Sequence, residues 1–158
     1  MNNFARIRCG FSSPEAVSQY MQDNLKYATK EQKQASKIYG CWWKTPEETY
    51  CDGFGFCYDL ASFALECLLC SNLAHANILF VAWGDWGKDS NAGHFVCTYR
   101  IDSFYYCIDN GYLKGPYSFD QLLQVTARNR AIHTHRFIES DHIHYHLKYQ
   151  EMGCFLED

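Results

Sequence analysis

The chain has 158 residues, which is enough for one domain with a sizeable core and too short for two ordinary domains. Hydrophobic residues make up 47% of the chain and aromatic residues 17%, a composition that excludes a disordered protein. The net charge is −4, from 14 lysines and arginines against 18 aspartates and glutamates. This balance argues against nucleic acid as the main partner, because binding phosphates requires a surplus of basic side chains.

No apolar run approaches the roughly 20 residues that a membrane-spanning helix needs. The N-terminal segment, residues 1–9, also lacks the apolar stretch of a signal peptide. We therefore expect a soluble, cytoplasmic protein without a membrane partner.

Three segments carry helix-start signals. In Ser12-Ser13-Pro14-Glu15, either Ser12 forms a capping box with Glu15, or Ser13 caps a helix that has Pro14 at its first position. Apolar residues at helical spacing then run from Val17 to Ala28, and polar residues continue the helix to Lys37. The other starts are Thr45-Pro46-Glu47-Glu48 and Ser118-Phe119-Asp120-Gln121, the latter opening a short helix that ends near Thr126.

The strongest periodicity begins at Cys57, after the glycine-bearing loop 51–56. The apolar residues share one continuous helix face: Cys57, Leu60, Ala61, Ala64, Leu65, Leu68 and Leu69. Strand-like runs follow at Ile78–Trp83, Phe95–Ile101 and Phe104–Ile108, and two more lie near Ile132–Ile138 and Ile143–Tyr149. This order predicts an α+β domain with one central helix and an antiparallel sheet.

Nine cysteines are many for this length. Their odd number and the missing export signal argue for reduced thiols, and Cys67, Cys70, Cys97 and Cys107 fall in apolar segments where a thiol packs as a small hydrophobe. Cys57 differs because it begins a helix, where unpaired N–H groups and the helix dipole favour the nucleophilic thiolate. Its own N–H can donate to a developing oxyanion. The alternative is a buried cysteine that only begins a core face.

A nucleophilic thiolate also needs a base, and the base needs an orienting partner. If Asp102 and Ser103 form a two-residue hairpin turn, Val96 faces Asp109. His94 and Asp109 then lie on the same face as diagonal neighbours, within reach of a hydrogen bond. The alternative is a strand-end histidine and a turn aspartate with no common role.

The segments Trp43-Lys44-Thr45-Pro46-Glu47-Glu48 and Gly53-Phe54-Gly55-Phe56-Cys57-Tyr58-Asp59-Leu60-Ala61 resemble the transglutaminase-like cysteine peptidases, most of all their bacterial branch. Gly93-His94-Phe95-Val96 and Ile108-Asp109-Asn110-Gly111 match as well, although the bacterial branch usually has Asp where this chain has Phe56. The resemblance implies a papain-like fold with a Cys57–His94–Asp109 triad. The resemblance covers roughly residues 39–123, and with the length of the chain we expect a single domain over 1–158, divided into an N-terminal helical region (1–38), a catalytic core (39–123) and C-terminal strands (124–158).

Members of this family complete the oxyanion hole with a polar side chain upstream of the cysteine, for which Trp42 and Trp43 are candidates here. Trp86, just before His94, is a candidate substrate wall. Both roles compete with ordinary core or surface packing. For Asp59 we expect a structural role, in the helix dipole and in hydrogen bonds to nearby loop amides.

We therefore expect a thiol protease, amidase or amine acyltransferase that acts on peptide or glutamine-type amides through an acyl-thioester, without cofactor or metal. The expected partner is a peptide or protein substrate. One alternative is a binding or assembly module that keeps this fold without turnover. The other is a zinc-binding regulatory domain built on Cys67-Leu68-Leu69-Cys70 and on the tail histidines, His133, His135, His142, His144 and His146.

Overall fold

A computed structural model describes residues 3–32, 44–85, 88 and 92–138. Before the large sheet come α1 (Asn3–Ile7), α2 (Pro14–Asn24), β1 (Lys26–Tyr27), α3 (Pro46–Asp52), β2 (Phe54–Gly55) and the central helix α4 (Cys57–Cys70). The remaining elements are β3 (Ala76–Ala82), β4 (Gly93–Ile101), β5 (Phe104–Asp109), β6 (Tyr112–Tyr117), α5 (Phe119–Thr126) and β7 (Thr134–Ile138). In this part of the chain no helix is both long and apolar enough to cross a membrane.

Strands β3 to β7 form one antiparallel sheet in the order β6-β5-β4-β3-β7. In the β4–β5 hairpin, Cys97 pairs with Ile108 and Ile101 pairs with Phe104, so Asp102 and Ser103 form the two-residue turn. Asp102 adopts a φ of 55°, a left-handed conformation that such tight turns require. The predicted hairpin and its register are confirmed.

The core lies between α4 and the sheet. Every residue of α4 from Tyr58 to Leu68 is buried, which explains why its sequence is apolar around most of the helix. A second, smaller cluster joins α5 to the sheet through Leu79, Val81, Val96, Cys107, Leu122 and Leu123. Helices on an antiparallel sheet confirm the predicted α+β class.

The three predicted helix starts are confirmed. Ser13 caps α2 by accepting a hydrogen bond from the Ala16 amide at 3.1 Å, which decides between the two serines. Thr45 and Ser118 each form a full capping box, with Glu48 and Gln121 respectively. These side chains satisfy amide groups that have no acceptor within the helix.

The predicted unbroken continuation of α2 through Ala28 towards Lys37 is wrong, although residues 30–32 are helical again. The helix ends at Asn24, and Leu25 is extended with φ −117° and ψ 146°. The chain leaves the helix because β1 pairs in parallel with β2, through Lys26 N to Gly53 O and Ala28 N to Gly55 O, both 3.0 Å. Residues 33–37 lie outside the described part.

The strands of the sheet differ from the predicted ones in number and in their limits. Strand β6 was not predicted, because Gly115 and Pro116 disguise its pattern; it is an edge strand, where a residue without an N–H is tolerated. Strands β3 and β7 are shifted from the predicted limits, beginning at Ala76 and Thr134. The strand predicted near Ile143–Tyr149 lies outside the described residues.

The expectation that Cys70 is a reduced core thiol is wrong. Cys70 ends α4 and forms a disulfide with Cys9, with the two Cα atoms 4.6 Å apart. The bond joins residues 61 positions apart and ties the segment after α1 to the C-terminal end of α4. By contrast, Cys67, Cys97 and Cys107 are free and buried, as expected.

Candidate active site

The N-terminus of α4 carries Cys57 as its first residue, at the boundary between core and surface. Phe56 precedes it in an extended conformation, with φ −82° and ψ 178°, and its carbonyl accepts the first helical hydrogen bond, from Leu60. Helix geometry gives the Cys57 N–H no acceptor within the helix, so this group faces the space beyond the helix end. The thiol and a free amide donor therefore lie side by side.

His94 lies near the start of β4 and is 4% exposed. Its Nε2 is 2.7 Å from Oδ1 of Asp109, which confirms the contact inferred from the hairpin register. The Cys57 side chain lies near the His94 ring, close enough for its hydrogen-bonding capacity and its charge to raise the pKa of the histidine. Since Nε2 is engaged by Asp109, Nδ1 is the ring nitrogen left for the sulfur. The fold thus brings Cys57, His94 and Asp109 together, with a hydrogen bond between the histidine and the aspartate and the thiol beside the ring.

Asp109 ends β5 and is 5% exposed. Its second oxygen, Oδ2, accepts a hydrogen bond from Nζ of Lys114 at 3.1 Å. Lys114 lies on β6 opposite Cys107, one diagonal step from Asp109. Lys114 is not predicted from the sequence because it lies on β6, which the strand pattern does not show; the turn residues Asn110-Gly111 after β5 are the signal for a second hairpin.

The electrostatics of this group favour an ion pair between His94 and Asp109. Burial disfavours the charged imidazolium, but the hydrogen bonds and charges of Asp109 and Cys57 outweigh it and raise the pKa of His94 to about 9. Burial also disfavours the Asp109 carboxylate, yet His94 and Lys114 lower its pKa to about 2.

Asp59 organises the loop that precedes Cys57. Its Oδ2 accepts a hydrogen bond from the Phe56 amide at 2.9 Å, and its Oδ1 accepts one from the Lys44 amide at 2.8 Å. Burial raises the pKa of Asp59 to about 7, although both amides oppose that shift. A Cβ at Gly55 would lie 2.6 Å from the Cβ of Asp59, so the close approach requires glycine. The predicted structural role of Asp59 is confirmed.

Tyr27 lies against the loop that precedes Cys57, a position that the sequence did not predict. It pairs with Gly55 across the β1–β2 ladder, and its ring meets Phe56 edge-on, with centroids 6.2 Å apart. Burial, and then the negative charge of a Cys57 thiolate, raise the pKa of the Tyr27 phenol. The helical spacing from Val17 to Ala28 concealed this residue, because it suggested a helix where the chain is a strand.

The candidate side-chain oxyanion donors Trp42 and Trp43 and the candidate substrate wall Trp86 lie outside the described residues, so their roles stay predictions. Among the described residues no group of three His, Cys, Asp or Glu side chains is arranged to hold a metal. In the Cys67-x-x-Cys70 motif, Cys70 forms a disulfide and Cys67 is buried. This motif therefore does not provide two thiolates that could bind zinc.

The chain is similar to solved structures and, separately, matches a family model. Two solved structures of Legionella pneumophila LapG are similar: the EGTA-treated form at 22% identity, over 69% of this chain and 55% of LapG, and the calcium-bound form at 21% identity, over 69% and 56%. Both have a TM-score of 0.47, and the similar region spans a little over half of the LapG chain. No curated protein matches in sequence.

The family model described as a transglutaminase-like domain matches residues 11–143, which is most of the chain. The match includes every element from α2 to β7, and it contains Cys57, His94 and Asp109. This agrees with the α+β, papain-like fold expected from the sequence. The chain therefore belongs to the transglutaminase-like domain family.

Proposed function

We propose that this protein is a cysteine hydrolase or acyltransferase that acts on peptide or glutamine-type amide bonds through an acyl-thioester. Membership of the transglutaminase-like family supports a cysteine-protease type of function. The observation that carries the proposal is the grouping of Cys57, His94 and Asp109, with the histidine hydrogen-bonded to a buried carboxylate and the sulfur at a helix N-terminus beside the ring.

In the first half of the reaction the Cys57 thiolate attacks the amide carbonyl carbon, and a carbon–sulfur bond forms. The carbonyl oxygen becomes an oxyanion, which the Cys57 backbone N–H stabilises from the helix end. The His94 imidazolium donates its Nδ1 proton to the leaving nitrogen as the carbon–nitrogen bond breaks. An amine leaves, and the acyl group remains on Cys57 as a thioester.

In the second half a nucleophile attacks the thioester, and neutral His94 takes its proton. Water as nucleophile releases a carboxylic acid, which is peptidase or amidase chemistry; an amine releases a new amide, which is transglutaminase chemistry. The thiolate leaves and the His94 imidazolium pairs with it again. Throughout the cycle Asp109 holds the ring through Nε2 and stabilises its charged form.

Selective alkylation tests whether Cys57 is an activated thiol. Cys51, on α3, is the matched control because it is a free thiol and is more exposed than Cys57, which is half-buried. Accessibility alone would therefore favour the labelling of Cys51. The other free thiols of the described residues, Cys67, Cys97 and Cys107, are buried, and burial raises the pKa of each. We expect limiting iodoacetamide at pH 6 to 7 to label Cys57 before Cys51, as read by peptide mass mapping.

The alternative, a binding module without turnover, predicts the reverse order, since exposure alone then decides the rate and Cys51 reacts first. A second measurement identifies the reaction. Rapid acid quenching after mixing with a peptide library, followed by mass analysis of the Cys57 peptide, should reveal an added acyl group whose mass names the substrate. If Cys57 is no more reactive than Cys51 and no acyl adduct forms, the proposed function is wrong.

A further inference from the structure

Lys114 contacts the buried carboxylate that orients the histidine. Its Nζ is 3.1 Å from Oδ2 of Asp109, while His94 Nε2 is 2.7 Å from Oδ1, so each carboxylate oxygen has its own nitrogen partner. The Lys114 side chain is 40% exposed, against 5% for Asp109. The lysine therefore approaches the buried group from the solvent side, opposite the histidine.

Helix α2 fixes the turn that carries both residues. The Ser18 hydroxyl donates to the Gly111 carbonyl at 2.7 Å and accepts from the Leu113 amide at 3.0 Å. Gly111 has a φ of 96°, and a Cβ there would lie 3.2 Å from the Cβ of Met21, so the turn is packed closely against the helix. The spacing between the strand end that bears Asp109 and the strand that bears Lys114 is thus set by tertiary contacts rather than by the hairpin alone.

The charges around the carboxylate balance only when Lys114 is counted. A Cys57 thiolate and a His94 imidazolium sum to zero, Asp109 adds one negative charge, and Lys114 cancels it. Cys107 on β5 is a buried neutral thiol, since burial raises its pKa to about 12. The residues that α2 presents to the turn are uncharged, and the one acidic side chain of α5, Asp120, is exposed. On α4, Asp59 is a second buried carboxyl, whose oxygens accept hydrogen bonds from the Phe56 and Lys44 amides and whose pKa burial raises to about 7; it is the same in every variant tested below. A buried site with an uncompensated charge is costly, and here the lysine supplies the compensation.

We propose that Lys114 is a positioning residue for the reaction of Cys57: it fixes the rotation of the Asp109 carboxylate and neutralises the site, so that the thiolate–imidazolium pair forms at lower pH. The inference rests on the proposed function, since it concerns the same thiol. It adds a fourth member to the group, one that acts through Asp109 and His94 without touching the substrate.

Removing the charge of Lys114 leaves the site with one net negative charge when the thiolate forms. Forming a second anion near an uncompensated carboxylate is harder, so the thiolate appears only at higher pH. We expect the pH midpoint for alkylation of Cys57 to rise by about half a pH unit in Lys114→Met, equivalent to an about threefold slower reaction on the acid side of the midpoint.

The experiment measures the rate of iodoacetamide labelling of Cys57 by peptide mass mapping from pH 5 to pH 9, in the full chain. Lys114→Arg keeps a cation near Asp109, and we expect its midpoint to stay within a few tenths of a pH unit of the wild-type value. Arg100→Met is the matched control, because it removes one exposed positive charge from β4, six residues and roughly 20 Å along the strand from His94. Circular dichroism and thermal unfolding check that each variant is folded, as the 40% exposure of Lys114 leads us to expect.

A midpoint that rises in Lys114→Met, and in neither of the other variants, supports the proposal. The proposal is wrong if the Lys114→Met profile superimposes on the wild-type profile, or if Arg100→Met shifts it equally. These outcomes are separate from a failure of the proposed function: a protein that forms no acyl adduct with any peptide, yet shows the Lys114-dependent shift, is not a hydrolase or acyltransferase but still uses Lys114 to tune its thiol.

Discussion

The two ends of helix α4 each carry a cysteine, one as a free thiol and the other in a disulfide. At the N-terminal end Cys57 is a free thiol next to the His94 ring. At the C-terminal end Cys70 is bonded to Cys9. Because both belong to one helix, the contrast shows that residue type alone does not decide the chemistry of a cysteine; its position along the helix and its tertiary neighbours do.

The helix itself contributes to this difference. Its N-terminus bears unpaired N–H groups and partial positive charge, which favour a thiolate, while its C-terminus bears carbonyl groups and partial negative charge, which disfavour one. The C-terminal end of α4 is connected to the segment after α1 by side-chain contacts as well as by the disulfide. Ser71 accepts a hydrogen bond from the Phe11 amide at 3.1 Å and donates one to the Arg8 carbonyl at 2.9 Å, and Arg8 pairs with Glu66.

The largest expected effect comes from exchanging each cysteine. Cys57→Ala should abolish acyl-enzyme formation and turnover while leaving the fold almost intact, because the residue is small and lies at a helix end. Cys70→Ser should lower the free energy of unfolding by about 2–4 kcal/mol, from loss of the disulfide, and keep turnover. Urea unfolding and acyl trapping measure the two effects. Wild-type turnover in Cys57→Ala would rule out the mechanism.

The next effect separates the partners of the thiol. His94→Ala removes the proton transfer and should lower the rate by roughly 10²–10⁴-fold. Asp109→Asn should be milder, because the Asn carbonyl oxygen still accepts a hydrogen bond from the His94 ring. Steady-state rates on the substrate identified by trapping give the comparison. A larger loss in Asp109→Asn than in His94→Ala would mean that the aspartate does more than orient the ring.

A glycine near each end of α4 gives a smaller, structural comparison. In Gly55→Ala the new Cβ would lie 2.6 Å from the Cβ of Asp59, so we expect a loss of about 1–3 kcal/mol in the free energy of unfolding and slower alkylation of Cys57. In Gly10→Ala, beside the Cys9–Cys70 bond, the nearest atom is 3.4 Å away, and we expect a change within about 0.5 kcal/mol. Equal stabilities for the two variants would contradict this account of the loop before Cys57.

A further expected effect is a pH dependence of stability at the N-terminal end. The pKa of His94 is raised from 6.5 to about 9, so the stabilisation from its pair with Asp109 is fully present below pH 6.5 and is lost as the pH rises through 9. The pKa of Asp109 is lowered to about 2, so the same stabilisation is lost as the pH falls from about 4 towards 2.

Urea unfolding of wild type and Asp109→Asn from pH 4 to pH 10 measures this dependence. The stability difference between them should be largest between about pH 4 and pH 6.5 and should shrink above pH 8. Glu66→Gln is the control at the other end of the helix, and its difference from wild type should stay flat over the alkaline range, because no histidine takes part in the Arg8–Glu66 pair. A flat difference for Asp109→Asn as well would mean that His94 is not paired as an imidazolium.

The elements whose signals are local were readable from the sequence. Capping residues marked the starts of α2, α3 and α5, and the apolar face that begins at Cys57 marked α4. The two-residue turn at Asp102-Ser103 fixed the register of β4 and β5, because a turn of known length determines which residues face each other. That register alone brought His94 and Asp109 within hydrogen-bond distance.

What only the tertiary structure decided depends on contacts between distant segments. Strand β1 forms because β2, about 28 residues later, offers it a parallel partner. This pairing overrides a local helical pattern and places Tyr27 opposite Gly55, two residues before Cys57. The Cys9–Cys70 bond spans 61 positions, and nothing in the spacing of nine cysteines specifies it. Lys114 reaches Asp109 only through an edge strand whose glycine and proline hide it, and whose turn is held by α2. Capping and hairpin signals act over a few residues, whereas these contacts depend on chain packing that no local pattern encodes.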